Sequence, residues 1–304
     1  LDLNAGYITR APSLRNTFSN SRENHNVVKN ISEEKIMSLD ASYIFRSQIV
    51  KARLTGYYTK MEDANEISFF YADGIQGFEE SSEFVQEVLR GIDKKHMGGE
   101  LGIEAQVTPT IKLKGVASFG EYTYDNNPNL YLSSNDVSVD LGESKLKDYK
   151  IAGGPQRAFS AGFEYRDPDY WWFGATTNFF SNAYVDISPL TRTKNFYLDT
   201  DGLPFNDYDS DTARGLLQQE KFNEYILVNL IGGKSWKIDD YYIGFFASVN
   251  NLLDKEYKTG GFEQGRNANY RELRDDVNNS TRVFGPKYWY GRGTTYFVNV
   301  YFRF

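Results

Sequence analysis

Cysteine is absent from this sequence of 304 residues. Neither a disulfide scaffold nor a thiolate metal site can form without it. Histidine is nearly absent. His25 and His96 are the only two, too few for a histidine-based metal cluster. No apolar run approaches the roughly 18 residues of a spanning helix, and the mean hydropathy is −0.56. A helical membrane protein is thereby excluded. A membrane barrel is not, because lumen-facing residues and loops dilute its apolar positions. Positive charge is in deficit: the net charge of −7 argues against nucleic acid as a partner. The chain also has no Gly-x-Ser-x-Gly elbow, no phosphate-binding glycine loop and no His-Glu-x-x-His. An enzyme is not expected, nor is a cofactor. A signal peptide is missing too. Residues 1–7 lack a basic start and a long apolar segment, and they already alternate like a strand. The expectation is a C-terminal piece of a larger protein.

Aromatic residues are abundant, at 16%, with 23 Tyr and 22 Phe. Many fall in alternating stretches, and the last stretch is the clearest. From Gly293 onward, Tyr296, Val298, Val300, Phe302 and Phe304 share one face; Phe297, Asn299, Tyr301 and Arg303 share the other. One side is apolar and the other mixes aromatic with polar groups. An outer-membrane barrel has this character because its outside solvent is lipid and its inside is wet. Ten strand-like segments follow this reading, at about 1–10, 33–46, 50–61, 99–108, 111–124, 157–166, 170–181, 222–233, 241–251 and 293–304.

The connections alternate in length. Short ones lie at 46–49, 108–110, 166–169 and 235–240. Long ones lie at about 11–32, 62–98, 125–156, 182–221 and 252–292. Compact soluble domains seldom hold one structureless loop of this length. Tight turns on one side and long loops on the other define a transmembrane antiparallel β-barrel. Both chain ends are expected on the short-turn side. The outward set comprises Leu101, Ile103, Val107, Phe159, Phe163, Val298 and Val300.

The tryptophans Trp171, Trp172, Trp236 and Trp289 all fall at predicted strand ends, where amphipathic aromatics collect at membrane interfaces. Within the second long loop, 82–90 has apolar residues at helical spacing, a Ser82 start and Gly91 as a stop, and predicts a short helix. Asp207, Asp209 and Asp211 mimic the start of a calcium loop. Thr212 stands where the turn glycine belongs and Gln218 where the bidentate glutamate belongs, so a solvated acidic loop is expected. Arg10, Lys51, Arg53, Glu104, Glu164, Asn178, Asn250 and Arg303 are polar positions on the wet faces. They are candidates for contact with an occluding domain or for lining a substrate path.

Several segments resemble the C-terminal half of TonB-dependent outer-membrane receptors. Gly6-Tyr7-Ile8-Thr9-Arg10-Ala11-Pro12-Ser13-Leu14 is similar to the family's Arg-Ala-Pro stretch in a mid-barrel strand. Asn250-Asn251-Leu252-Leu253-Asp254-Lys255-Glu256-Tyr257 resembles its Asn-Leu-Leu-Asp signature after the penultimate strand. Tyr57-Tyr58-Thr59-Lys60-Met61-Glu62-Asp63 is similar to a frequent strand end, and residues 293–304 resemble the terminal strand ending in Phe. The resemblance covers the whole chain in order, and the loop style is nearest to Bacteroidota members.

The resemblance implies about the last ten of some 22 strands, with residues 1–304 forming the C-terminal portion of one barrel domain. The plug domain and TonB box are not in this chain. It implies energised uptake of a scarce solute through a plugged barrel, without covalent chemistry. The implied partners are membrane lipid and lipopolysaccharide, the plug, the inner-membrane TonB complex and the barrel-assembly machinery; a surface lipoprotein is a further candidate. Gly293, Tyr296, Phe302 and Phe304 would form the assembly signal. Two alternatives stand beside this reading. One is a complete ten-stranded outer-membrane protease using His25 and His96 with nearby acids such as Glu23 and Asp93. The other is a passive porin or adhesin. A sheet that closes on itself would favour the former.

Overall fold

The computed structural model describes all residues except 21, 23–24, 79–82, 135–136 and 266–267. In chain order the strands begin with β1 (Asp2–Arg10), β2 (Glu34–Arg46), β3 (Val50–Ala72), β4 (Glu83–Gln106) and β5 (Ile111–Tyr124). Next come β6 (Asn129–Ser133), β7 (Ser138–Glu143), β8 (Arg157–Arg166), β9 (Trp171–Ser181) and β10 (Tyr225–Ile238). The last are β11 (Tyr241–Asn250), β12 (Lys258–Phe262), β13 (Lys287–Tyr290) and β14 (Thr295–Arg303). Among the described residues three short α-helices accompany them: α1 (Leu14–Thr17), α2 (Ser210–Leu216) and α3 (Tyr270–Val277). Among the described residues, no helix is long and apolar enough to cross a membrane.

One antiparallel sheet runs β1-β2-β3-β4-β5-β8-β9-β10-β11-β14. These ten strands correspond to the ten alternating segments. The sheet is open: β1 and β14 pair with β2 and β11 alone, not with each other. A closed ten-stranded barrel, and with it the complete-protease reading, is therefore not the arrangement formed. The turns joining β2 to β3, β4 to β5, β8 to β9 and β10 to β11 are short, and the first and last strands start and finish on that side.

Register assigns the faces, since directly paired residues share a side and a slip of one would invert them. Leu54 pairs with Leu101, Ala52 with Ile103, Leu113 with Phe163, and Phe245 with Val300. This face is apolar and bare: Val298 is 63% and Val300 71% exposed. Leu101, Ile103, Val107 and Phe163 are exposed as well, while Phe159 is half-buried beneath Phe119 and Phe179. On the opposite face the Tyr57 and Tyr122 hydroxyls bond at 2.7 Å. Each ring lies over a glycine: a Cβ on Gly98 would meet Tyr57, and one on Gly120 would meet Tyr122.

The largest correction concerns 62–98. It is no loop with a helix but the upper half of a hairpin, in which β3 and β4 continue past the barrel wall. Residues 83–90 are strand; Ser82, the expected helix start, lies outside the described residues. The departure point is a bulge between Met61 and Asn65. Asp63 on β3 adopts φ 60° there and Gly91 on β4 φ 65°, the left-handed backbone that bulges use. The Asp63 N–H donates to Asp93 Oδ1 at 3.1 Å, and Asn126 Nδ2 donates to the Gly91 carbonyl at 2.7 Å. Two smaller corrections follow from the same ladders. β10 starts at Tyr225 instead of Phe222 and continues to Ile238, so its turn shrinks to Asp239-Asp240 and Trp236 belongs to the strand. His96, expected in a loop, sits in β4 with its ring 4.8 Å from that of Tyr122. His25 is exposed in the first loop, and Glu23 lies outside the described residues.

The buried apolar residues belong to the long-loop side. β6 and β7 add to the β4 extension, and Val85, Leu89, Leu130, Leu132, Leu141 and Leu190 pack together there. A second cluster joins Phe196, Phe205 and Ala213 to Tyr270 and Leu273 of α3. The loops are thus a packed body standing on the sheet.

Candidate functional site

Following the register around the sheet carries Arg10, Lys51, Arg53, Glu104, Glu164, Asn178, Asn250 and Arg303 onto one face, opposite the apolar one. They do not form one cluster; they form a chain of local pairs. Lys112 meets Glu104 at 3.2 Å, Lys114 meets Glu164 at 3.0 Å, and Arg10 meets Glu34 at 2.6 Å. Arg53 Nη2 donates to Ser42 Oγ at 3.1 Å, and Asn178 Nδ2 to the Leu227 carbonyl at 3.5 Å. Lys51 stands opposite Arg46 and Glu104, and Asn250 opposite Thr295. The half of this face nearest the short turns is basic. Arg46, Lys51, Arg53, Lys112, Lys114, Arg166 and Arg303 share it with Glu104 and Glu164.

The tryptophans divide. Trp171 and Trp236 lie on the apolar face near the short turns. Trp171 stacks on Phe173, and its centroid is 4.8 Å from that of Tyr165; Trp236 meets Phe245 at 6.0 Å. Trp172 points to the polar face, under the Arg166 guanidinium and stacked on Phe246. Trp289 is in β13, paired with β12 in a small separate sheet of the last loop, against Phe262. Of the terminal residues, Tyr296, Phe302 and Phe304 are exposed on the apolar side, with Phe302 stacked on Tyr241; a Cβ on Gly293 would strike Asp254 Oδ1.

The acidic run does not form a calcium loop. Asp209 caps α2, accepting from Thr212 N–H at 2.8 Å. Asp207 accepts from Arg271 Nε at 2.7 Å and Arg274 Nη1 at 2.8 Å. The two guanidiniums, Arg274 foremost, hold its carboxyl well below the ordinary value, at about 2. A depressed carboxylate stabilises above its unfolded value near 4, and that support fades as pH falls toward 2. Asp207→Asn is therefore expected to speed pepsin cleavage at α3 several-fold over the parent at pH 4, with the ratio approaching one near pH 2. A ratio unchanged across that window would remove the ion pairs from the account.

Sequence reasoning missed the residue that ties the loops together. Arg192 lies in the loop between β9 and β10, and its side chain is 2% exposed. Nη2 donates to Glu263 Oε1 at 2.9 Å and to the Leu217 carbonyl at 2.9 Å. Nη1 meets Glu263 Oε2 and donates to Thr191 Oγ1 at 2.8 Å and the Ser188 carbonyl at 3.2 Å. The guanidinium lies 5.0 Å from the Tyr149 ring centre. Burial opposes its charge, but Glu263 more than restores it, so its pKa stands above the ordinary arginine value. Beside this hub is a cavity of about 350 Å³. It is lined by Glu66 and Glu87 of the hairpin, Tyr124 at the top of β5, Asp186 and Ser188 of one loop and Glu263 of another. Tyr124 is on the same face as His96 and Tyr122, so the cavity opens on the polar side of the sheet.

An antiparallel sheet with one bare apolar face, one polar face, tight turns at one end and a packed loop body at the other is part of a membrane-spanning β-barrel. The chain belongs to the family described as TonB dependent receptor-like, β-barrel, whose model matches residues 1–252. Members of that family are outer-membrane transporters, not enzymes. Solved structures with the same fold include the copper transporter OprC, with a TM-score of 0.54 and 18% identity over 98% of this chain and 36% of that one. The siderophore receptor PiuA from Acinetobacter baumannii has a TM-score of 0.55 and 11% identity over 99% and 33%. The ferripyoverdine receptor of the Pseudomonas aeruginosa outer membrane, bound to ferripyoverdine, has 0.52 and 12% over 98% and 30%. The chain spans about a third of the length of these structures. No curated protein matches it.

Proposed function

We propose that this chain is the C-terminal portion, residues 1–304, of the barrel of an energised importer in the bacterial outer membrane. The single observation that carries the reading is the open sheet with a bare apolar face. In lipid, the unpaired N–H and C=O groups along β1 and β14 are untenable, so further strands of a larger barrel must cover both edges. A passive porin of ten strands does not meet that requirement.

In the full receptor a plug domain would sit against the polar face, and the basic half near the short turns suits an acidic plug surface. The inner-membrane TonB complex would pull on that plug and open the lumen to a scarce solute. On the outward side, just beyond the apolar band, Lys60 and Lys95 meet Asp125, and Lys150 meets Glu121. A charged belt on this side would suit contact with lipopolysaccharide phosphates, the lipid partner of this reading. The loop body offers a surface to a lipoprotein lid. The test is uptake by cells expressing the complete receptor. Removing the TonB complex should abolish it, whereas uptake that persists at full rate would mark a passive pore.

β14 also supports an assembly role. Its outward aromatics, Tyr296, Phe302 and Phe304, line a free edge, and a folding catalyst can pair with such an edge by strand addition. Phe304→Ser is expected to cut the amount of assembled receptor several-fold while leaving the denaturant stability of the surviving barrel nearly unchanged. Normal abundance with stability lowered by about 1–3 kcal/mol, the value of a buried Phe, would instead mark Phe304 as a packing residue only.

A further inference from the structure

We propose that the β12–β13 ribbon of the last loop binds a sugar ring that carries a carboxylate, with Trp289 as the stacking floor and Lys287 as the partner of the charge. The inference rests on the importer reading and names a class of solute for it.

The register sorts the ribbon into two faces. Lys258 pairs with Tyr290 and Gly261 with Tyr288; Gly260 pairs with Trp289 and Phe262 with Lys287. The first face is engaged within the molecule. Lys258 Nζ meets Glu220 at 2.9 Å and lies 3.3 Å from the centre of the Tyr288 ring, which packs edge-on against Phe222. The second face is bare. Trp289 is 58% exposed. Its ring lies over Gly260, where an added Cβ would stand 3.0 Å from Trp289 Cε3. One side of the indole therefore rests on backbone, and the other is open. Phe262 forms a low wall, with its ring centre 5.7 Å away and its plane tilted by 40°. Lys287 is exposed, and among the described residues no carboxylate pairs with it. Phe262 also lines the cavity that opens on the polar side of the sheet, which places this end of the ribbon over the lumen mouth.

The form of the site selects the class. An exposed tryptophan offers a large, rigid contact area at low conformational cost. As a shelf it covers one side of a guest and leaves the other in water. A flat aromatic solute has two apolar faces and gains most in a slot that covers both. A pyranose has a C–H face to lay on the indole, while its hydroxyls stay hydrated around the edge. The indole N–H is a further donor to such a hydroxyl. Lys287 stands two residues along the same face of the strand, within reach of a substituent on that ring. An ammonium without a partner selects a carboxylate through a charge-assisted bond. Glu263, the carboxylate next in the chain after Phe262, is already neutralised by Arg192.

The experiment uses the purified full-length receptor and titrates three probes by calorimetry at pH 7. They are digalacturonate, its neutral dimethyl ester, and benzoate. Digalacturonate is expected to bind about threefold tighter than the ester at low salt, the scale of one solvent-exposed charge pair. The ratio should approach one near about 1 M salt, where such pairs are screened. Lys287→Gln should erase the preference and leave the affinity for the ester unchanged. Trp289→Ala should weaken both sugars about tenfold, as loss of a stacking platform does, and Trp289→Phe should recover part of that loss. No binding of digalacturonate, equal binding of acid and ester, or a preference that survives in Lys287→Gln would each overturn the assignment. Benzoate bound more tightly than digalacturonate would overturn the sugar class. Sugar affinity unchanged in Trp289→Ala, with stability in lipid vesicles lowered, would make the ring a membrane anchor instead. If Trp289→Ala does not fold, Lys287→Gln and the salt series decide. Because binding is read without the TonB complex, a negative result here leaves TonB-dependent uptake in cells standing as a separate measurement.

Discussion

Replacing Glu263 by alanine is expected to destabilise the extracellular body by about 3–5 kcal/mol, the cost of leaving one member of a buried ion pair without its partner. The asymmetry of the pair makes this the sharper of the two truncations. Arg192 is almost wholly buried and keeps its charge at every accessible pH, whereas Glu263 retains some contact with solvent. Without the carboxylate, the guanidinium is left with neutral oxygens from Thr191, Ser188 and Leu217 and with the Tyr149 ring. The loss spreads beyond the pair, because Glu263 Oε2 also accepts the Ser188 N–H at 2.9 Å. Three loops meet here, those carrying Tyr149, Arg192 and Glu263, so local opening should appear in all of them. Hydrogen exchange of amides at 183–193 and 258–263 reads it directly. The companion variant Arg192→Met/Glu263→Leu removes both charges and should recover much of the loss, since an apolar replacement of similar volume needs no partner. If Glu263→Ala costs under about 1 kcal/mol, the ion pair is not what holds the loops together.

How much of this was legible beforehand depends on which solvent each segment meets. Where one face meets lipid and the other the lumen, alternation survives in the residues, as in 101–107 and 296–303, and the ten strands could be read directly. Where both faces are packed, it vanishes. Residues 85–89 of β4 lie between β3 and β6 and are all buried; Val85, Val88 and Leu89 then fall at spacings that a helix also shows. Gly91 added to the ambiguity, because the left-handed backbone it supplies serves a helix stop and a bulge equally. The adjacent Trp171 and Trp172 could have been separated from sequence. Neighbours in a strand face opposite ways, so only one of them can reach the lipid side. The cavity was beyond reach. Its residues come from positions as far apart as 15 and 263, brought together by loop packing that carries no periodic signal.

Val300→Arg is the complementary test, on the membrane side of the molecule. Val300 pairs with Phe245, shares its face with Val298 and Phe302, and is 71% exposed. In water such exposure would be a liability, but in lipid it is the ordinary state of an outward barrel residue. An arginine at the bilayer midplane costs about 2–4 kcal/mol in such a barrel, and less toward the interfaces. Val300 lies two residues from Phe302, whose stack on Tyr241 marks the aromatic level near the short turns. Its side chain would reach part of the way to that level, which places the expected cost in the lower half of the range. Val298→Arg, one step deeper and paired with Ala247, should therefore cost more. Asn299→Arg occupies the same depth on the other face, paired with Phe246, and should be nearly neutral because that side is wet. Denaturant unfolding of the full receptor in lipid vesicles compares the three. The order Val298, Val300, Asn299 in decreasing cost supports the register derived from the ladders. A costly Asn299→Arg beside a neutral Val300→Arg would turn every face of the sheet around, because the register leaves no room for one strand to differ alone.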